Sequence, residues 1–154
     1  MSYAEAQYII DETAGKVEKA AEKLTAGIPP QDMQLFSITP VDSGAKLKFK
    51  EPDDTYIDGQ RVCSVKGVKI VLKAGSYPLN EDDGTLIVDN TEFGKYESTP
   101  LVIDRLTNGT EYYIAAFPYS NDNYYNRAAG LRVLSDTYAQ KNRTKFTPQA
   151  YVLY

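Results

Sequence analysis

The side chains able to do chemistry in this chain are few. There is no histidine among its 154 residues, so neither a Ser-His-Asp or Cys-His nucleophile nor a histidine metal site can be built from it. Cys63 is the one cysteine, with Arg61 and Lys66 as its near basic neighbours, and a half-buried small residue is the expectation for it over a catalytic thiolate. Carboxylates gather at Asp53 and Asp54, at Glu81, Asp82 and Asp83, and at Asp122. None has the alternating acid spacing of a calcium loop, and adjacent acids on a solvated turn keep ordinary pKa values, which does not suit the paired carboxylates of glycoside hydrolysis. No catalytic residue, cofactor or metal site is therefore expected. The remaining chemistry is aromatic. Tyr119, Tyr124 and Tyr125 alternate with Asn121, Asp122, Asn123 and Asn126, in a chain with 13 tyrosines and no tryptophan. Tyrosine mixed with Asn and Asp stacks on sugar faces, forms polar protein interfaces, or covers an open end of a fold. Tyr119, Asn121, Asp122, Tyr124 and Tyr125 are the candidate contacts to a partner protein or glycan.

Those residues need a scaffold, and the turn chemistry says which kind. From residue 31 to about 136 the apolar period is two, with turn clusters every eight to twelve residues, the pattern of an antiparallel sandwich. Strands are expected at Met33–Val41, Ala45–Lys50, Val65–Lys73, Gly84–Val88, Leu101–Ile103, Tyr112–Phe117 and Leu131–Leu134. Turns are expected at Asn80–Gly84, Thr107–Thr110 and Ser120–Asn123, where Gly or Asn can take positive φ. The aromatic cluster then sits in the loop between the last two strands. Tyr138–Lys145 reads as a polar connector within a C-terminal extension, 137–154, that ends in a terminal strand or aromatic hook at Ala150–Tyr154.

Ahead of the sandwich, residues 1–28 read as a helix. Ser2 and Glu5 have capping-box spacing, Ala, Glu and Lys are frequent, and Gly27 with Pro29 and Pro30 ends it near Ala26. Tyr3, Ile10, Val17 and Leu24 repeat every seven residues, with Ala6, Thr13 and Ala20 at the companion positions. Such a seam packs either on its own domain or on copies of itself. A strict heptad set off by a Pro-Pro break, on a helix of about 36 Å, favours self-association, against which stands Gly15 at a cost of about 1 kcal/mol.

The sandwich stretch resembles the fibronectin type III family, an immunoglobulin-like fold. Leu47, Phe49 and Pro52 stand in that family's apolar-x-aromatic-x-x-Pro strand, with phenylalanine for the customary tryptophan. Val65, Gly67, Val68 and Ile70 match its third strand. Leu106-Thr-Asn-Gly-Thr-Glu-Tyr112 is similar to the Leu-x-x-Gly-Thr-x-Tyr that precedes its sixth strand. The resemblance implies a seven-stranded sandwich in which the Tyr112 ring is buried and its hydroxyl ties the corner to backbone. Ala115–Arg127 and Tyr77–Asn90 are worded like the fibronectin-like modules of bacteriophage tail, baseplate and fibre proteins. That implies a non-enzymatic virion component made in the host cytoplasm, with itself (a trimer), other virion proteins and a host-surface glycan as partners. The alternative is a bacterial carbohydrate-binding or adhesion module, which needs an export route.

Charge and composition agree with an assembly part. A net charge of −4 removes the phosphate attraction on which nucleic-acid binders depend. With 25% charged residues no membrane insertion is expected, and the acidic start of the chain, with Glu5, lacks the basic region of a signal peptide. Asn108-Gly-Thr and Asn142-Arg-Thr are sequons by spelling alone.

Overall fold

A computed structural model describes residues 27–131 and 141–150. Most of the expected helix, with Tyr3, Ile10, Val17 and Leu24, lies outside the described residues, as do residues 132–140 and 151–154.

Among the described residues nine strands run in chain order: β1 Leu35–Val41, β2 Gly44–Lys50, β3 Thr55–Ile57, β4 Gln60–Cys63, β5 Val65–Ala74, β6 Thr85–Asn90, β7 Leu101–Ile103, β8 Tyr112–Ser120 and β9 Arg143–Phe146. All the pairings are antiparallel. One sheet has the order β1-β2-β7, the other β6-β5-β8-β9, and among the described residues β3 and β4 pair only with each other. Strand β2 shows why the sheets close on one another. Ala45, Leu47 and Phe49 are fully buried and alternate with exposed Lys46 and Lys48, because successive strand side chains point to opposite faces. Across the core these three meet Val68, Ile70 and Leu72 of β5, Ile114 and Ala116 of β8, and Phe146 of β9. Two sheets sharing one apolar interior make an antiparallel sandwich. Pro40, which has no amide hydrogen to donate, is tolerated because β1 is an edge strand.

The four-stranded sheet is covered on its outer face too. Val71, Ala115 and Phe117 are fully buried there, against Ala129 of a short 3₁₀ turn, Ala128–Gly130, and half-buried Tyr125. The connection after β8 therefore folds back over its own sheet. Gly130 permits the approach, since a Cβ at that position would lie 2.0 Å from the Leu79 carbonyl oxygen.

Two expectations need correction. A strand of the four-stranded sheet, β9, overlaps the end of the stretch expected to be a polar connector; of the expected strand Leu131–Leu134 only Leu131 is among the described residues, where it lies outside any strand and is 49% exposed. Only Phe146 of β9 enters the core. Arg143 is buried by its surroundings, with its guanidinium 4.0 Å from the Tyr77 ring centre and Nη1 donating to the Ala129 carbonyl at 3.0 Å, so no apolar alternation marks the strand. The second correction concerns Tyr112, whose ring is half-buried and lies 5.9 Å from that of Phe146, though its hydroxyl does accept from the Thr107 amide at 2.9 Å.

Candidate functional site

Chain direction reverses at every connection, so β2–β5, β6–β7 and β8–β9 all turn at one end of the sandwich. Hydrogen bonds join the three. Glu51, buried, accepts from Asn90 Nδ2 at 2.6 Å and from the Gly94 amide at 3.0 Å, which fixes the β6–β7 connection to the end of β2. The Asn121 amide and Nδ2 donate to the carbonyl and Oγ of Ser64, both at 2.9 Å. That holds the β8–β9 connection to the β4–β5 junction.

The five residues singled out by the sequence separate into two groups on this end. Tyr119 is scaffold, not surface: it is 4% exposed, its hydroxyl donates to Asp89 Oδ1 at 2.6 Å, and its ring stacks on Tyr125 at 5.1 Å. Burial first, and then the Asp89 carboxylate, hold its phenol far above the usual range. Tyr125 is half-buried between cations, with Lys69 Nζ 5.4 Å and the Arg127 guanidinium 5.2 Å from its ring centre. Arg127 in turn donates to both Glu81 oxygens, at 2.8 and 2.6 Å, and these hydrogen bonds, aided by its charge, hold the Glu81 carboxyl below the ordinary range. These groups brace the folded-back connection against the outer face of the sheet.

Asn121, Asp122 and Tyr124 form the open group. Ser120 Oγ accepts from the amides of Asp122 and Tyr124, both at 3.2 Å, and Asn123 takes φ 64° in the tight turn between them. The turn leaves Asp122 exposed and Tyr124 45% exposed, while the Asn121 side chain is exposed yet tied to Ser64. Gly27 approaches the Tyr124 ring, so that a Cβ there would lie 3.7 Å from its Cε1. The sequence reading thus grouped inner and outer residues of this connection together.

Three further residues on this end escaped it. Tyr56 and Ile57, 59% and 54% exposed, cap the β3–β4 hairpin, which turns through Asp58 and Gly59 with φ 51° and 79°. The two-residue Asp-Gly turn was the available signal. Phe93, 51% exposed, stands on the β6–β7 connection.

The other candidate groups serve the fold. Cys63 is buried, and burial, aided by the charges of Asp54 and Asp122, pushes its thiol pKa up, away from thiolate character. Asp54 accepts from the Val65 amide at 2.8 Å, and Asp83 from Lys73 Nζ at 2.8 and 2.9 Å and from the Leu79 amide at 2.8 Å. Lys73 and the Leu79 amide hold the Asp83 carboxyl below its ordinary range. Among the described residues no group of three or more Cys, Asp or Glu is placed to hold a metal ion, and no helix is long and apolar enough to cross a membrane.

No family model and no curated protein matches the chain. Ten solved chains resemble it. One is described as the computer-based redesign of a β-sandwich protein; it is 16% identical, with 78% of this chain and 96% of that chain covered and a TM-score of 0.47. Another is the spore cortex lytic enzyme SleM of Clostridium perfringens, 12% identical, with 79% of this chain but 29% of that chain covered and a TM-score of 0.43.

Proposed function

We propose that the chain is a fibronectin type III-like module of a bacteriophage virion that works without catalysis, by assembly with other virion proteins and attachment through its loop end. The observation that carries the binding part of this reading is the exposure of Tyr56, Ile57, Phe93 and Tyr124 on three connections of one end of the sandwich. Tyr, Phe and Ile side chains standing in water become more stable when a partner covers them, and aromatic residues are enriched at such contacts. The fibronectin type III reading is supported by the three-plus-four strand order and by the Tyr112 hydroxyl bonded to the Thr107 amide at the corner before β8. The titratable groups of the turns support a non-catalytic role, since Asp54, Asp83 and Glu81 are already engaged by backbone amides or by Arg and Lys.

Antibodies against the chain, used with gold labelling on purified particles and on uninfected cells, test the location. Labelled particles with bare cells are expected. Labelled cell surfaces instead would make this a bacterial adhesion module. Replacing Tyr56 and Tyr124 together by alanine is expected to weaken attachment at least tenfold with the melting temperature unchanged. A variant that melts early would place those rings in the fold and end the loop-end reading.

A further inference from the structure

The outer face of the three-stranded sheet is distinct from the loop end and has an unusual composition for an acidic chain. Lys46, Lys48 and Lys50 stand on alternate positions of its central strand, so all three ammonium stems leave the same face, about 7 Å apart along β2. Lys50 reaches Glu97 at 3.7 Å, across a pair whose side chains are 42% and 47% exposed. Among the described residues, Lys46 and Lys48 make no ion pair. The register sets Leu35 opposite Lys50 and Val102 opposite Lys46, and these apolar residues are 37% and 62% exposed. Lysine is a poor residue for a central strand, and three like charges in a row repel one another. Among the described residues only the exposed Lys50–Glu97 pair offsets that arrangement.

We propose that this face docks an acidic protein surface. Charge decides the sign of the occupant. The sequence has a net charge of −4, so without these three lysines the remainder carries −4 − 3 = −7, and the cationic row is a local reversal of the chain's own field. Shape and composition decide its class. A saccharide is bound by an aromatic platform in a concave site, whereas the β1, β2 and β7 positions on this face include no aromatic ring and the sheet presents a pleated surface with exposed Leu35 and Val102. Apolar side chains beside lysines match a protein surface that brings carboxylates and some apolar area together. The lysines speed and orient the encounter, and the two apolar residues add contact once water leaves.

The test uses the full chain and sodium poly-L-glutamate as the acidic polypeptide, with hyaluronate as a saccharide bearing the same carboxylate. Binding is read by fluorescence anisotropy in 50 and 300 mM NaCl. Polyglutamate is expected to bind in 50 mM salt and to weaken about tenfold in 300 mM, because exposed charges are screened. The triple variant Lys46→Gln, Lys48→Gln, Lys50→Gln is expected to lose at least tenfold. A second triple, Lys66→Gln, Lys95→Gln, Lys145→Gln, changes the net charge equally and is expected to change binding less than twofold. If the first triple fails to fold, Lys48→Gln alone is expected to cost about threefold. Absence of polyglutamate binding, equal losses in the two triples, or hyaluronate bound as tightly as polyglutamate would each overturn the proposal. None of these outcomes bears on Tyr56 and Tyr124, so this surface and the loop end stand or fall separately.

Discussion

Asn142 and Tyr112 carry comparable hydrogen bonds at very different depths, and depth sets what each is worth. Asn142 is 1% exposed; its Oδ1 accepts from the Met33 amide at 2.9 Å and its Nδ2 donates to Asp32 Oδ1 at 2.9 Å, where Asn126 Nδ2 also donates. Removing it strands a buried amide, so Asn142→Ala should cost about 2–3 kcal/mol. The Thr107 amide bonded by Tyr112 lies at the surface and can turn to water, so Tyr112→Phe should cost only about 1 kcal/mol. Urea unfolding of the two variants checks the order, which would be reversed if the corner were the deeper anchor. A pH effect follows from Glu81, whose side chain is 9% exposed and whose folded pKa is depressed by Arg127. A carboxyl with a depressed folded pKa adds stability that is present above its unfolded pKa and is lost as pH falls through the folded value. Glu81→Gln is therefore expected to lower stability near pH 7 and to flatten the loss below about pH 4.3, the ordinary glutamate value, as read from melting temperatures between pH 3 and 7. Equal acid slopes in both proteins would show that the ion pair has no such weight.

Among the described elements, the β3–β4 hairpin is the least embedded, since neither strand pairs with another described strand outside it. Its turn holds Asp58 and Gly59 at positive φ, and a β-branched residue at Gly59 meets a steric cost of about 1–2 kcal/mol. Gly59→Val should speed amide exchange of Gln60 and Arg61 while the melting temperature of the sandwich stays put. A matching fall in global stability would mean that the hairpin folds with the core. Its strands were missed because Tyr56 and Ile57 both face solvent, so no apolar alternation marks them, and the Asp58-Gly59 turn was the one signal. Strand β9 was missed for another reason: Arg143 is kept inside by an aromatic ring and a carbonyl from distant positions, Tyr77 and Ala129. By contrast β2 was legible residue by residue, because one of its faces meets the core and the other meets water.

The whole molecule is tied to its own N-terminal approach. Asn126 Nδ2 donates to the Pro30 carbonyl at 3.0 Å, and Asn126 and Asn142 share Asp32, next to buried Met33. A chain beginning at Gly27 keeps this clasp and should melt with the full-length protein, whereas one beginning at Leu35 loses it together with the buried Met33 side chain, at a cost of about 3 kcal/mol or more. Sedimentation equilibrium on the first two samples tests the heptad of Tyr3, Ile10, Val17 and Leu24. Self-association of the full chain and a monomer from Gly27 are expected. A full-length monomer at high micromolar concentration would exclude autonomous assembly by that seam. By itself the sequence determined the β class, the turns at Asn80–Gly84, Thr107–Thr110 and Ser120–Asn123, and six of the seven sandwich strands among the described residues, because alternation, Gly and Asn placement and corner spacing are written locally. Which tyrosine turned inward was decided by tertiary structure alone. Both were read into one loop, but Tyr119 belongs to β8 and bonds Asp89 of β6 across the intervening β5, whereas Tyr124 is exposed. That difference depends on the connection folding back over its own sheet, a contact between residues far apart in the chain that no local pattern encodes.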